Sequence, residues 1–113
     1  MDFNHFLTSY MPDPSIGSKV HFQNMIDQAI LAEKLGYKTV SIPEHHLVNL
    51  LMMPSPLQMA VKIATLTKDI KISTSVAVLP LHDMRTYAGE VATADILTEG
   101  RLILGVGRGA FAW

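Results

Sequence analysis

Apolar positions along the chain alternate between two rhythms. Phe3 to Ser9, Lys38 to Pro43, Ile70 to Leu79 and residues 101–106 carry short apolar runs, as buried strands do. Between them, apolar residues recur at three- and four-residue spacing. In Lys19 to Leu35 these are Phe22, Met25, Ile26, Ala29 and Ile30, and they predict a helix. Ser18 is the expected N-cap and Gly36 the expected C′ residue. Ser55-Pro56 predicts a second helix start with proline at its first position, running to about Thr67 with Leu57, Ala60, Val61 and Ala64 on one face. Asp83 is placed to cap a third helix, Met84 to Leu97, which ends at Gly100. Pro12, Pro14 and Gly17 mark a loop, and Leu47 to Met53 reads as an unusually apolar one.

The predicted order is βαβαβαβ, an α/β class with parallel strands and right-handed crossovers. The run Val76-Ala77-Val78-Leu79 suits a parallel strand covered on both faces, and Pro80 ends it. Two architectures compete, an open doubly wound sheet and a (β/α)8 barrel. A complete barrel takes eight strands and ~250 residues. Four strands would make the N-terminal half of a (β/α)8 TIM barrel.

Polar residues collect where predicted strands end. Thr8, Ser9 and Tyr10 close the first strand, and Glu44, His45 and His46 the second. Thr74 and Ser75 lie along the third, with His82 and Asp83 after it, and Gly107, Arg108 and Gly109 close the fourth. Barrel active sites lie at that rim. Composition adds exclusions. Hydrophobic residues make up 49% of the 113 and charged residues 17%, with a net charge of −1, so neither disorder nor a nucleic-acid partner is expected. With no cysteine there is no thiolate chemistry, and a reducing cytoplasm is expected. No apolar run approaches the ~20 residues of a membrane span, so no membrane partner is expected, and the N-terminus lacks a signal-peptide pattern.

Each motif has a plain structural reading beside the chemical one. His45 and His46 suit a metal, but neighbours on an extended chain point to opposite sides, and no second ligand pair supports one. The same residues suit a surface turn capped by Glu44. His5 and His21 read as structural or solvated, and His82 as a loop residue. Gly105-Val106-Gly107-Arg108-Gly109 lacks the spacing of a dinucleotide fingerprint and of a P-loop. Its glycines let a ligand approach the backbone, and Arg108 suits a phosphate; otherwise it is a turn with an exposed arginine.

Read in order, several segments are recognisable. They are Asn4-His5-Phe6-Leu7-Thr8, Ala32 to Val40, Pro43-Glu44-His45-His46, Thr74 to Pro80, Thr98-Glu99-Gly100-Arg101-Leu102, and Gly105 to Gly109. The ordered set resembles the bacterial luciferase-like flavin monooxygenase superfamily across essentially the whole chain. That resemblance implies a TIM barrel and decides between the two architectures. It implies bound FMN, reduced by a separate flavin reductase, or, in a sister group, a deazaflavin. The implied reaction uses reduced FMN and O2 to oxygenate a small organic substrate.

The resemblance also implies roles. His45 matches an acid/base near the flavin, and imidazole titrates in the right range for that task. Glu44 is expected to orient the site. Ser75-Val76 matches a non-prolyl cis peptide beneath the flavin ring, and Arg108 a phosphate contact, with Gly107 and Gly109 beside it. Gly107 stands where luciferases carry a reactive cysteine, which suits a related monooxygenase better than light emission. His82-Asp83 departs from the usual His-Pro.

Members of that superfamily run through a full barrel, so residues 1–113 are expected to be one partial, truncated domain. Three cases follow: a truncated monooxygenase, a chain that associates with itself or with a missing half, or a non-catalytic binding fragment. A deazaflavin-dependent oxidoreductase of the same fold is the other enzymatic alternative.

Overall fold

The computed structural model describes residues 1–110. In chain order its elements are β1 (Asn4–Phe6), α1 (Ser18–Lys34), β2 (Thr39–Ile42), β3 (His45–Val48), β4 (Leu51–Met53), α2 (Pro56–Leu66), β5 (Lys71–Thr74), β6 (Ala77–Val78), α3 (Met84–Leu97), β7 (Leu102–Ile103) and β8 (Val106–Gly107). Four strands form a parallel sheet in the order β1-β2-β5-β7, which is also their order in the chain. Each crossover that a parallel pair requires contains one of the three α-helices. The predicted α/β alternation and the parallel pairing are therefore both present.

Register explains which face is buried. His5, Val40, Ile72 and Leu102 align across the four strands, and Val40 and Ile72 are fully buried. Met25, Ile26, Ala29 and Ala32 of α1 and Met59, Ala60, Ile63 and Ala64 of α2 complete that core. Spacings of three and four residues bring these side chains onto one stripe of each helix. The next row, Phe6, Ser41, Ser73 and Ile103, faces the other way. Ser41 and Ser73 are short and polar there, and Phe6 and Ile103 are exposed. Helices cover one face of this sheet, while successive residues of β2, and of β6 in the run Val76 to Leu79, are buried, as strands covered on both faces are.

Two charged side chains tie helix ends to the sheet. The carboxylate of Glu33, near the end of α1, accepts from the backbone N–H groups of Lys68, Asp69 and Ile70 at 2.8–3.1 Å. Burial disfavours the charged form, but the three donors and the nearby Arg101 outweigh it, so the Glu33 pKa is lowered. The Arg101 guanidinium donates to the carbonyls of Ala64, Thr67 and Ile70 as α2 ends, at 2.6–3.3 Å. These bonds satisfy groups that a helix terminus leaves open.

Several predicted boundaries differ. Gly17, not Ser18, occupies the N-cap position of α1, with φ 80° and no side-chain cap. Ser55 makes no cap hydrogen bond either, although Pro56 opens α2 as predicted. Asp83 does cap α3, accepting from the Arg85 N–H at 3.0 Å. The apolar segment predicted as a loop is a β-hairpin, β3–β4, with a bulge between His45 and Val48. It is anchored to the chain after β1 by Met11 N–H to Leu50 O (2.8 Å), Met52 N–H to Ser9 O (2.9 Å) and a bridge between Tyr10 and Leu51. The third predicted strand is two, β5 and β6, separated by a cis peptide at Ser75-Val76. The fourth is likewise two, β7 and β8. The short parallel pair β6–β8 aligns Ala77 with Val106 and Val78 with Gly107. Gly105 permits this break: a Cβ there would collide with the Thr74 carbonyl oxygen.

Candidate active site

β2 delivers Glu44 two residues past its last hydrogen-bonded position, and the Glu44 side chain is completely buried. A buried carboxylate needs several donors, and this one has three. One oxygen, Oε2, accepts from the Val78 backbone N–H at 2.8 Å. The other, Oε1, meets His46 Nε2 and His82 Nε2, each at 2.7 Å. For both imidazoles to donate to a carboxylate, each must carry a proton on Nε2. Glu44 thus holds two rings in one tautomer and also takes the place of a backbone carbonyl for strand β6.

The first imidazole comes from β3, the second from the loop after the 3₁₀ turn Leu79–Leu81. The His82 ring stacks on Tyr87 of α3, with centroids 4.0 Å apart and planes 18° from parallel. The Tyr87 hydroxyl is buried without a hydrogen-bond partner. Burial, then the charges of Glu44 and Glu90, raise its pKa. His45 lies beside this network. Burial, and then the neighbouring His46, lower its pKa, while Glu44 opposes them. His45 therefore gains its proton at a lower pH than an ordinary imidazole does.

Of the residues singled out from the sequence, Glu44 and His46 share a hydrogen bond, and Val76, Val78 and Gly107 gather next to them on β6 and β8. A Cβ on Gly107 would lie 2.7 Å from Val76 Cγ2, so the bare backbone of β8 closes tightly on the residue after the cis bond. Arg108 follows β8 and is exposed, and Gly109 has φ 85°. A side chain is rarely tolerated at that φ. Ser75 N–H donates to Ile42 O at 2.7 Å, which ties the cis bond to the end of β2. Sequence reasoning missed His82. Its partner lies 38 positions away, and only the Asp83 cap beside it was a local signal. His21 is buried with Nε2 3.3 Å from Met52 O, and His5 Nε2 lies 3.1 Å from Gln28 Oε1, so both are structural as expected. Among the described residues no cluster of three or more metal-ligating side chains occurs, and no helix is long and apolar enough to cross a membrane.

Comparison with known proteins gives this geometry a context. The family pattern described as luciferase-like monooxygenase matches residues 1–113. An uncharacterised Sinorhizobium fredii protein is 38% identical over 109 residues, covering 96% of this chain and 31% of its own length. The oxygenase component of a flavin-dependent trigonelline monooxygenase from Acinetobacter baylyi is 32% identical, over 81% of this chain and 26% of its own. Among solved structures, the oxygenating constituent of 3,6-diketocamphane monooxygenase from Pseudomonas putida, in complex with FMN, superposes with a TM-score of 0.91. It is 27% identical, and the match spans 98% of this chain and 30% of that one. The chain therefore spans about a third of the length of these relatives.

Proposed function

The chain belongs to the luciferase-like monooxygenase family, and on that footing we propose that it forms the N-terminal part of an FMN-dependent monooxygenase acting on a small organic substrate. The observation that carries this reading is the carboxylate of Glu44, bound to two imidazoles and to strand β6 opposite Gly107. It brings proton-transferring groups to the strand ends, next to a backbone stripped of side chains. The reduced flavin would be delivered by a separate reductase, in the cytoplasm. The Acinetobacter relative is itself named an oxygenase component.

The residues present fit FMN. Val76 offers an apolar surface for a ring, while Arg108, exposed between Gly107 and Gly109, offers a guanidinium for a phosphate. When bound, reduced FMN supplies the electrons that activate O2 for transfer of one oxygen atom to the substrate. The chain's own residues do the rest. Neutral His45 takes or returns a proton. Glu44 fixes the orientation and tautomer of His46 and His82. FMN is preferred to a deazaflavin because the FMN complex is the nearer of the structures compared. An F420-dependent secondary alcohol dehydrogenase is 22% identical and supports only the shared fold.

Titrating the purified chain with FMN, followed by flavin fluorescence, tests the reading. Saturable binding is expected, weakened about tenfold or more in Arg108→Ala, as the loss of one charge-assisted contact predicts. Superimposable isotherms would remove Arg108 from the site. No binding by either protein would leave the chain a non-catalytic fragment.

A further inference from the structure

Among the described residues, two that are not glycine have a backbone φ in the left-handed region, Glu99 at 56° and Leu47 at 55°. Glu99 follows the end of α3, just before Gly100 at 75°, and a left-handed residue is a common way for a helix to end. Leu47 has no such setting. It lies within β3, where a strand calls for extended backbone, and its side chain is 96% exposed. Burial of the leucine therefore does not offset the clash of its Cβ with the backbone. Strain of that kind persists only where the surrounding structure imposes it, and it gathers at functional sites.

Pairing across the hairpin identifies what imposes it. His45 aligns with Met53 and Val48 with Leu51, so His46 and Leu47 together face Met52 alone. One of the two is surplus to the ladder. Neither end of the bulge is free to slide and absorb it. Beyond the bulge, Leu50 O accepts from the Met11 N–H at 2.8 Å, and the Met52 N–H donates to Ser9 O at 2.9 Å. Before it, Glu44 is held by the Val78 N–H at 2.8 Å. Between these fixed points His46 Nε2 meets Glu44 Oε1 at 2.7 Å. The left-handed turn takes up the surplus at Leu47, sending that side chain to solvent and leaving the His46 ring on the carboxylate. His45 and His46 consequently line one cleft, with Met11, Met52 and Leu81, although adjacent residues of a regular strand point to opposite faces.

We propose that Leu47 is a positioning residue of this site: its left-handed backbone, rather than its side chain, sets the His46 ring against Glu44. A residue confined to extended backbone at this place would pull His46 off the carboxylate or shift β3 by one position against β4. Such a shift turns every later side chain of the strand to the other face. His82 reaches the same oxygen from a distant part of the chain, so its bond does not depend on the bulge. The bearing of Leu47 on proton transfer rests on the monooxygenase reading, whereas its hold on His46 does not.

The ring N–H protons of His46 and His82 provide the test, because both rings share one acceptor and only His46 adjoins the bulge. Their exchange with water is followed by NMR in the ¹⁵N-labelled 113-residue chain without flavin, and in Leu47→Gly, Leu47→Ala and Leu47→Val. Glycine adopts a left-handed φ freely, so Leu47→Gly is expected to slow exchange at His46 by about fivefold or more, the factor that relief of this strain represents. Leu47→Ala keeps the Cβ and should stay within about twofold of the unaltered chain. Leu47→Val, branched at Cβ and most hostile to this φ, should speed exchange by about fivefold or more. His82 should hold steady throughout. Overall stability would not sort these variants, since glycine also loosens the unfolded chain. Equal exchange in Leu47→Gly and the unaltered chain overturns the proposal, as does Leu47→Ala matching Leu47→Gly, or His46 and His82 changing together. The first of these comparisons decides the matter even where Leu47→Val does not fold. FMN titration of the same samples is independent. Failure to bind FMN removes the flavin reading and leaves the hold on His46, while intact FMN binding with unchanged His46 exchange removes only this inference.

Discussion

Two imidazole N–H groups converge on a single oxygen of Glu44, and its second oxygen holds a strand. Removing a buried acceptor that serves three donors leaves each donor without its charge-assisted bond. Glu44→Ala is accordingly expected to destabilise the fold by about 3 kcal/mol or more, read by urea denaturation; a change within about 0.5 kcal/mol would mean that water or another group satisfies the donors. His45 is a separate matter, because its contribution is chemical. In an active enzyme containing this segment, His45→Ala should lower turnover by on the order of 10²-fold, and unchanged coupled turnover would remove the residue from the proton path. The sign of its pH dependence follows from its lowered pKa. The unfolded chain binds that proton more readily. The stability owed to His45 is complete above its ordinary value of 6.5 and is lost as pH falls below it. The acid limb of kcat/KM, if His45 acts as a base, should likewise lie below 6.5 and disappear in the alanine variant.

Among the elements, the broken strand pairs β5–β6 and β7–β8 matter most to the site. Thr74 Oγ1 donates to Gly105 O at 2.8 Å, and Ala77 N–H donates to the same carbonyl at 2.8 Å. Gly105 O thus bridges both halves of the break, and Gly105 has no room for a side chain. Gly105→Ala is expected to cost about 1–3 kcal/mol in denaturant unfolding, since the Thr74 carbonyl would have to move; an unchanged midpoint would show that the break is pliable. Two helices were legible in the sequence because their stripes, from Met25 to Ala32 and Leu57 to Ala64, repeat often enough to be seen, and the third was legible from its ends, Asp83 and Gly100. The β3–β4 hairpin was not legible. Its strands are four and three residues long, and the bulge at Leu47 removes the alternation that would mark them. The break at Gly105 was hidden for the opposite reason, since Ile103, Leu104 and Val106 run straight across it, whereas Ser73-Thr74-Ser75 interrupt the apolar residues at the other break and read as polar positions within one strand. Glu44 and His46 stood out as polar groups ending an apolar run, whereas His82 reaches the site only through tertiary structure.

For the whole molecule, sheet order equal to chain order leaves β1 and β7 as the two edges. The face away from the helices displays Phe6 and Ile103, with Leu104 and Val106 exposed beyond β7. Open edges next to uncovered apolar side chains favour association. Sedimentation of the isolated chain should therefore show an average mass that rises with concentration, reduced by Phe6→Lys together with Ile103→Lys. A single species of 12.5 kDa at all concentrations would show that this surface is inert. In the FMN-bound Pseudomonas protein the equivalent of this chain makes up 30% of the polypeptide.

The double duty of Glu44 bears on how variation at this site is to be read. A residue that orients two rings and also completes the pairing of β6 cannot drift in one capacity while being preserved in the other. Inactivity after replacing it would say little about proton transfer, because the architecture would change in the same stroke. Histidine 45 has no such second employment among the bonds described, so an inactive variant there is the cleaner witness to chemistry. Lineages that adapt this scaffold to new reactions would be expected to alter the imidazoles and the hairpin before they touch the carboxylate.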